Sequence, residues 1–257
     1  MKKMRQLIGF LAFILLFIIS STGIFAQSVV KGMSANGSTG LVTSPTARIG
    51  WENTTLGVDV GYKFTGATHI PMVSVSAFGK AELGLAVDIQ PAANAQGATN
   101  FLITGKYQFY GGGGDPALAL AGNVQITPNE TAEQVLLVLN TKGSFFDWPA
   151  STSMAIGTTF PNFFNNFPID FSMGFELTVW PSALKDFVHL IIDFANYSYS
   201  INPTGSMAVG RGIFNAGIRI GLLTGPKFKL NIDAIGTNLL DANRGFMVGA
   251  CFGMAIM

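Results

Sequence analysis

Two histidines, one cysteine and a near-balanced set of acids and bases hold the reactive side chains of this chain. His189 is followed four residues later by Asp193. A base oriented by a carboxylate supplies two of the three members of a hydrolytic triad. The two lie, however, on the same face of an alternating stretch. At ~3.3 Å per strand residue they stand about 13 Å apart, too far for a hydrogen bond. His69 sits at a strand start beside a turn, and no nucleophile falls at a fixed spacing from it. A serine brought in by a neighbouring strand is the one route left to acyl transfer. One cysteine and two separated histidines do not make a metal-ligand set. Cys251 is expected to fill a tight inward site among glycines. The run Gly111 to Gly114 lacks the Lys-Ser/Thr of a phosphate loop, and no helix pattern follows it. No enzyme activity and no cofactor are expected.

The remaining chemistry is electrostatic. Asp59, Lys63, Glu82, Asp88, Lys106, Asp170, Glu176, Asp193, Arg219, Lys229 and Asp233, with Lys142 and Lys227, all fall on one face of alternating stretches. The opposite face is bulky and apolar: Leu56, Val58, Val60, Tyr62 and Phe64 in one stretch, Leu83, Leu85, Val87 and Ile89 in the next. Opposite signs nearly match, so the charged face offers no clear preference for anions or cations. It reads as the lining of a polar interior, either an open channel or, slightly favoured, a narrow space across which the groups pair, solvated but partly occluded.

The elements that must position these groups are long strands. Period-2 alternation recurs along the chain. The stretches run to about ten residues, longer than a soluble sheet usually needs and matched to a tilted strand crossing a bilayer. Charged residues are 11% of the chain, against roughly 25% in ordinary soluble domains. A sheet in lipid must close, because an open edge leaves backbone groups unpaired. The expected fold is therefore all-β: a closed antiparallel transmembrane β-barrel. Breaks at 66–68, 79–80, 91–98, 111–115, 128–133, 144–151, 161–168, 181–186, 202–211, 224–226 and 238–244 divide residues 55–257 into twelve strands, with roughly ten to fourteen compatible with the pattern. Short turns and longer loops roughly alternate; 66–68 and 144–151 are the exceptions. Short turns belong on the periplasmic side, which puts both termini there. Aromatics including Phe64, Phe78, Phe109, Tyr110, Phe145, Phe146, Trp148, Trp180, Phe187, Tyr197 and Phe246 cluster near strand ends, as interfacial girdles do.

The N-terminus has a different character. Lys2, Lys3 and Arg5 precede an apolar run from Leu7 to Ile19 and a small, weakly polar exit. This is the layout of a secretory signal peptide, cleaved between Ala26 and Gln27. Residues 27–54 then form an N-terminal segment, and 55–257 the barrel. The formal net charge of +1 predicts no attraction to nucleic acid. The expected place is the outer membrane of a diderm bacterium. The expected partners are its lipids, the barrel-insertion machinery, and small solutes or polysaccharide.

The stretch "TGLVTSPTARIGWENTTLGVDVGYKF", within Gly37 to Phe64, does not alternate until its second half. With Gly40, Leu41, Pro45, Thr46, Ala47 and Arg48 before a Gly-rich strand, it resembles the N-terminal motif of YjbH-type outer-membrane proteins associated with exopolysaccharide. The remainder resembles small bacterial outer-membrane barrels. The resemblance implies an outer-membrane barrel and a link to envelope polysaccharide. Pro45 argues against a central strand. Leu41 to Arg48 is expected inside or across the periplasmic mouth, with Arg48 paired to an inward carboxylate such as Asp59 or Glu82. A porin-like or polysaccharide-related role follows. The alternatives are a structural or adhesive surface barrel, a soluble secreted β-sandwich, and an outer-membrane hydrolase.

Overall fold

A computed structural model describes residues 32–66, 68–90, 98–111, 116–128, 131–160, 169–199, 212–241 and 244–256. The expected signal peptide, with Ala26 and Gln27, lies outside the described residues. Alternation that fixes one apolar and one polar face yields β1 (Leu56–Phe64), β2 (His69–Ala77), β3 (Ala81–Gln90), β4 (Ala98–Tyr110), β5 (Ala117–Ile126) and β6 (Thr131–Phe145). The second half holds β7 (Trp148–Phe160), β8 (Ile169–Thr178), β9 (Val188–Ala195), β10 (Ile213–Thr224), β11 (Phe228–Thr237) and β12 (Gly245–Ala255). A single turn of helix, α1 (Pro181–Leu184), joins β8 to β9. Each strand pairs antiparallel with its sequence neighbours, and β1 pairs with β12 from Gly57↔Ala255 to Phe64↔Val248. The result is a closed twelve-strand barrel. Closure satisfies the backbone of both terminal strands.

The faces divide as the pattern predicts. Val60, Leu83, Leu85, Ile103, Leu120, Leu137 and Ile232 stand exposed on the outer wall, where only lipid would cover them. The polar face turns inward and is buried. What buries it is the chain itself. Residues 32–54 do not join the wall; they fold through the lumen, held by two isolated antiparallel bridges, Met33↔Thr39 and Gly40↔Pro45. Met33, Leu41, Val42, Ala47 and Ile49 are all buried there. The wall makes room for them with glycines. A Cβ on Gly57 would sit 2.3 Å from the Trp51 ring, and one on Gly84 would sit 2.6 Å from the carbonyl oxygen of Gly37. A Gly84→Val variant should therefore leave the barrel closed but prevent the segment from seating. Limited proteolysis of the folded variant should cut within residues 32–54, while the parent is protected.

Three sequence expectations are corrected. Residues 144–151 are not a loop. β6 and β7 run on to a two-residue turn at Phe146 and Asp147, both at positive φ (49° and 64°). Such a turn matches the twist of the flanking strands, but it lacks the Asn-Gly chemistry that would announce it. The long connection assigned to that end thus disappears. Strand β9 stops at Ala195, short of the expected end near residue 201. Beyond it the chain leaves the wall, so Tyr197 does not join a girdle but turns into the lumen. At the end that holds the termini, Phe78, Phe109, Tyr110, Phe145, Phe146 and Trp180 are exposed. Lys227 is not inward; it lies exposed in the turn before β11, where the strand alternation has not begun.

Candidate functional site

The lumen is the candidate site, and it is built from polar wall residues facing a polar segment. Asp193 on β9 is fully buried. Its Oδ2 accepts hydrogen bonds from three consecutive backbone N–H groups, those of Val42 (2.9 Å), Thr43 (2.6 Å) and Ser44 (2.9 Å). Its Oδ1 accepts from Asn215 Nδ2 at 2.7 Å. The turn around Pro45 forms a nest of N–H groups, which suits one anionic oxygen. Glu82 on β3 does the same lower in the barrel. It accepts from the backbone N–H and the hydroxyl of Thr39 and from the N–H of Gly50. Asp59 on β1 accepts from Trp51 Nε1 at 3.0 Å.

Each of these last two carboxylates also has a wall cation. Lys106 Nζ lies 3.4 Å from Glu82 and donates to the Thr39 carbonyl. Lys229 Nζ lies 2.9 Å from Asp59 and 4.9 Å from the centre of the Trp51 ring. Arg219 on β10 faces Asp233 on β11 in register and donates to it through Nε (2.8 Å) and Nη2 (3.0 Å). Its Nη1 donates to the Gly40 carbonyl. Lys63 is equally buried, and its Nζ has no hydrogen-bond partner among the described residues. Buried charges persist only when paired or hydrogen-bonded. Most of the inward set meets that condition through the segment it surrounds.

Arg48 departs from expectation. Its Nε donates to Asn140 Oδ1 at 2.8 Å, and its Nη1 lies 3.9 Å from Glu52. Asp59 and Glu82 are taken by Lys229 and Lys106, which reach them from the wall itself. Pro45 is buried and Ala47 packs on Ala117, Ala119 and Ala121. The Thr46 hydroxyl accepts from the Arg48 N–H. Asp88 is buried near the opposite end, where Gln90 Nε2 donates to it. Lys142 is half-buried near the end that holds the termini.

His189 also finds a partner that sequence spacing concealed. Glu176 on β8 stands 3.3 Å from its Nδ1, while Nε2 donates to the Asp186 carbonyl. With Nε2 donating, the Nδ1–carboxyl contact is favourable only when the pair holds one more proton. Both side chains are buried, so this is a closed contact rather than an accessible base. Cys251 is buried with Met33, Ile70 and Met72. Among the described residues no cluster of His, Cys, Asp or Glu is suited to hold a metal ion.

A second obstruction enters from the other end, and nothing in the strand pattern announced it. Tyr199 is buried against Met33 and Leu102. Its carbonyl accepts from Asn100 and its hydroxyl donates to Gln134. Tyr197 donates to Ser172, which also meets Ser44 of the N-terminal segment at 3.1 Å. Asn123 donates to the Tyr199 hydroxyl and accepts from Asn36 of that segment. The two obstructions thus share wall residues. Burial pushes the hydroxyl pKa of both tyrosines upward, so they remain neutral donors.

No family model and no curated protein matches the chain. The YjbH-type resemblance therefore has no family match behind it. Solved structures do match. A KdgM porin superposes with a TM-score of 0.50 at 8% identity, over 76% of this chain and 98% of that one. Omp33, an outer membrane protein of Acinetobacter baumannii, matches at 0.43 with 10% identity, over 79% and 98% of the two chains. The NanC porin matches at 0.45 with 9% identity, over 77% and 98%. At these identities the likeness is one of fold alone, that of a closed antiparallel β-barrel.

Proposed function

We propose that this chain is a porin-like barrel of a bacterial outer membrane that admits small polar solutes and is held shut at rest by its own residues 32–54. The observation that supports this most is the polarity of the contact between segment and wall. Asn36, Thr39, Thr43 and Ser44 meet Asn123, Glu82, Asp193 and Ser172, alongside apolar packing of Met33, Leu41 and Ala47 on the wall. A permanent filler would be expected to resemble an apolar core, tightly interlocked and costly to hydrate. Polar partners recover most of each hydrogen bond from water, at a net loss of about 0.5–1.5 kcal/mol, rising to about 1.5–3 kcal/mol where one partner is charged. The segment can therefore withdraw and leave a hydrated lumen lined by charges of both signs.

The orientation follows from the connections. Turns such as 78–80, 146–147 and 225–227 lie with the termini. That end is the periplasmic one on the pattern of bacterial barrels, and the end carrying Tyr197 and Tyr199 faces outward. The apolar outer wall meets lipid, and the insertion machinery of the outer membrane would place it there. A structural barrel without transport is the second reading, favoured by the paired inward charges.

Planar-bilayer recording separates the two. The mature full chain should give only rare current steps. A variant lacking residues 27–54, first shown to be folded by heat-modifiable migration in gels, should conduct steadily. A folded variant with no current would leave the structural barrel standing.

A further inference from the structure

Asp193 differs from the other carboxylates that hold the segment. Asp59 and Glu82 each have a wall lysine that stays with them wherever residues 32–54 go. Asp193 has none. β7, β8 and β9 carry no Lys or Arg. Arg219 on β10 stands opposite His189, four residues along β9 from Asp193, or about 13 Å at ~3.3 Å per residue. It is already bidentate to Asp233. Lys63 stands on β1, with β10, β11 and β12 between. The charge of Asp193 is therefore met by dipoles alone: the Asn215 amide and three N–H groups of the segment. When the segment leaves, this carboxylate keeps only Asn215.

The space that residues 41–44 vacate has a definite chemistry. Their N–H nest sets partial positive charge against Oδ2. Beside it lies an alkyl group. Leu41 packs with Ile191 of β9 and covers Gly174 of β8, the residue opposite Asp193. A Cβ on Gly174 would collide with Leu41 Cδ1, so the wall is notched there. A carboxylate oxygen beside an apolar notch suits an ammonium on a short alkyl stem. One ammonium N–H goes to Oδ2, and the Ser172 hydroxyl, freed from Ser44, can accept another. A guanidinium fork is matched to two carboxylate oxygens, and Oδ1 is held by Asn215. A hard metal cation needs several oxygen ligands and finds one carboxylate.

We infer that the notch at Asp193 and Gly174 binds a primary aliphatic ammonium, and that this solute and residues 41–44 exclude one another. The inference rests on the reading of residues 32–54 as a withdrawable segment and names the solute class that favours withdrawal. A ligand that binds only the unseated form multiplies its population by one plus the ratio of concentration to Kd. A Kd of about 10 mM and about 100 mM solute give a rise of about tenfold.

The test is chymotryptic cleavage within residues 32–54 of the folded mature chain in detergent. Cleavage tracks the open population when reclosing is fast. The probes are the chlorides of n-butylammonium, n-butylguanidinium and tetramethylammonium at one ionic strength. A short peptide substrate corrects for any effect of the salts on the protease. At about 100 mM, n-butylammonium should speed cleavage about tenfold. n-Butylguanidinium should do less, and tetramethylammonium, which is charged but has no N–H, should do nothing. In Asp193→Asn, cleavage should start faster and no longer respond to n-butylammonium. If that variant does not fold, the comparison of cations on the parent chain decides alone. Cleavage unmoved by n-butylammonium, an equal rise with either other salt, or a response retained by the folded variant overturns the proposal. Silent bilayers from the folded variant lacking residues 27–54 would sink the channel reading and leave this site standing. Steady conduction with cleavage unmoved by n-butylammonium would do the reverse.

Discussion

Asp193→Asn should open the barrel without dismantling it. Every group around this carboxylate is a donor: three backbone N–H groups on Oδ2 and the Asn215 amide on Oδ1. An asparagine presents one oxygen and one NH₂. Whichever way it turns, its NH₂ faces donors. Hydrogen bonds to a charged group contribute about 1.5–3 kcal/mol, and the substitution weakens several together. A loss of about 3 kcal/mol in seating residues 42–44 raises the unseated fraction about 100-fold. The wall pairing of β9 with β8 and β10 runs through the backbone and is untouched. Bilayer recordings should therefore show a large rise in open probability at unchanged heat-modifiable migration. A variant as quiet as the parent would mean that Asp193 does not hold the segment in place.

Arg219→Met should act on the barrel itself. Arg219 is fully buried, bidentate to Asp233 across β10 and β11, and bonded to the Gly40 carbonyl. Methionine fills much of the volume but leaves a buried carboxylate without its main counter-charge. Breaking one half of a buried pair costs about 3–5 kcal/mol. Urea unfolding in detergent should show a loss of that size. The double variant with Asp233→Asn should recover a substantial part, because the orphaned charge is then gone. A loss below about 1 kcal/mol would mean that Lys63 has become the counter-ion of Asp233. That outcome would also explain why a second buried cation is kept so close by.

Much of the wall was legible because strand period and lipid solvent leave little freedom. The alternation in β1, β3, β4, β5, β8 and β12 fixes which side chain faces out. A one-residue slip would put Asp59 or Glu82 into lipid. The two-residue turn at Phe146 and Asp147 was missed because its residues are not those that normally mark positive φ. The end of β9 was missed because "NYSYS" continues to alternate while the chain has already left the wall. Pro45 did exclude a strand at residues 41–48, since it removes a ladder donor. It could not say where the freed N–H groups of Val42, Thr43 and Ser44 would go.

The partnerships were beyond sequence reading for a related reason. Inward orientation is local, set by a period of two. Pairing is not. His189 meets Glu176 rather than Asp193 because β8 and β9 are offset so that Thr178 stands opposite His189. Arg48 meets Glu52 and Asn140 because Lys229 and Lys106 reach Asp59 and Glu82 from the wall.

The sequence by itself determined a closed sheet with an apolar outside and a charged inside, because each residue's face depends only on its neighbours and on the solvent beyond. Only the tertiary structure decided that residues 32–54 run through the inside, that Asp193 is bonded to the backbone of residues 42–44, and that Tyr197 and Tyr199 enter the lumen from the far end. Those outcomes depend on strand register and on which distant segment enters the lumen, and neither is written in a period of two.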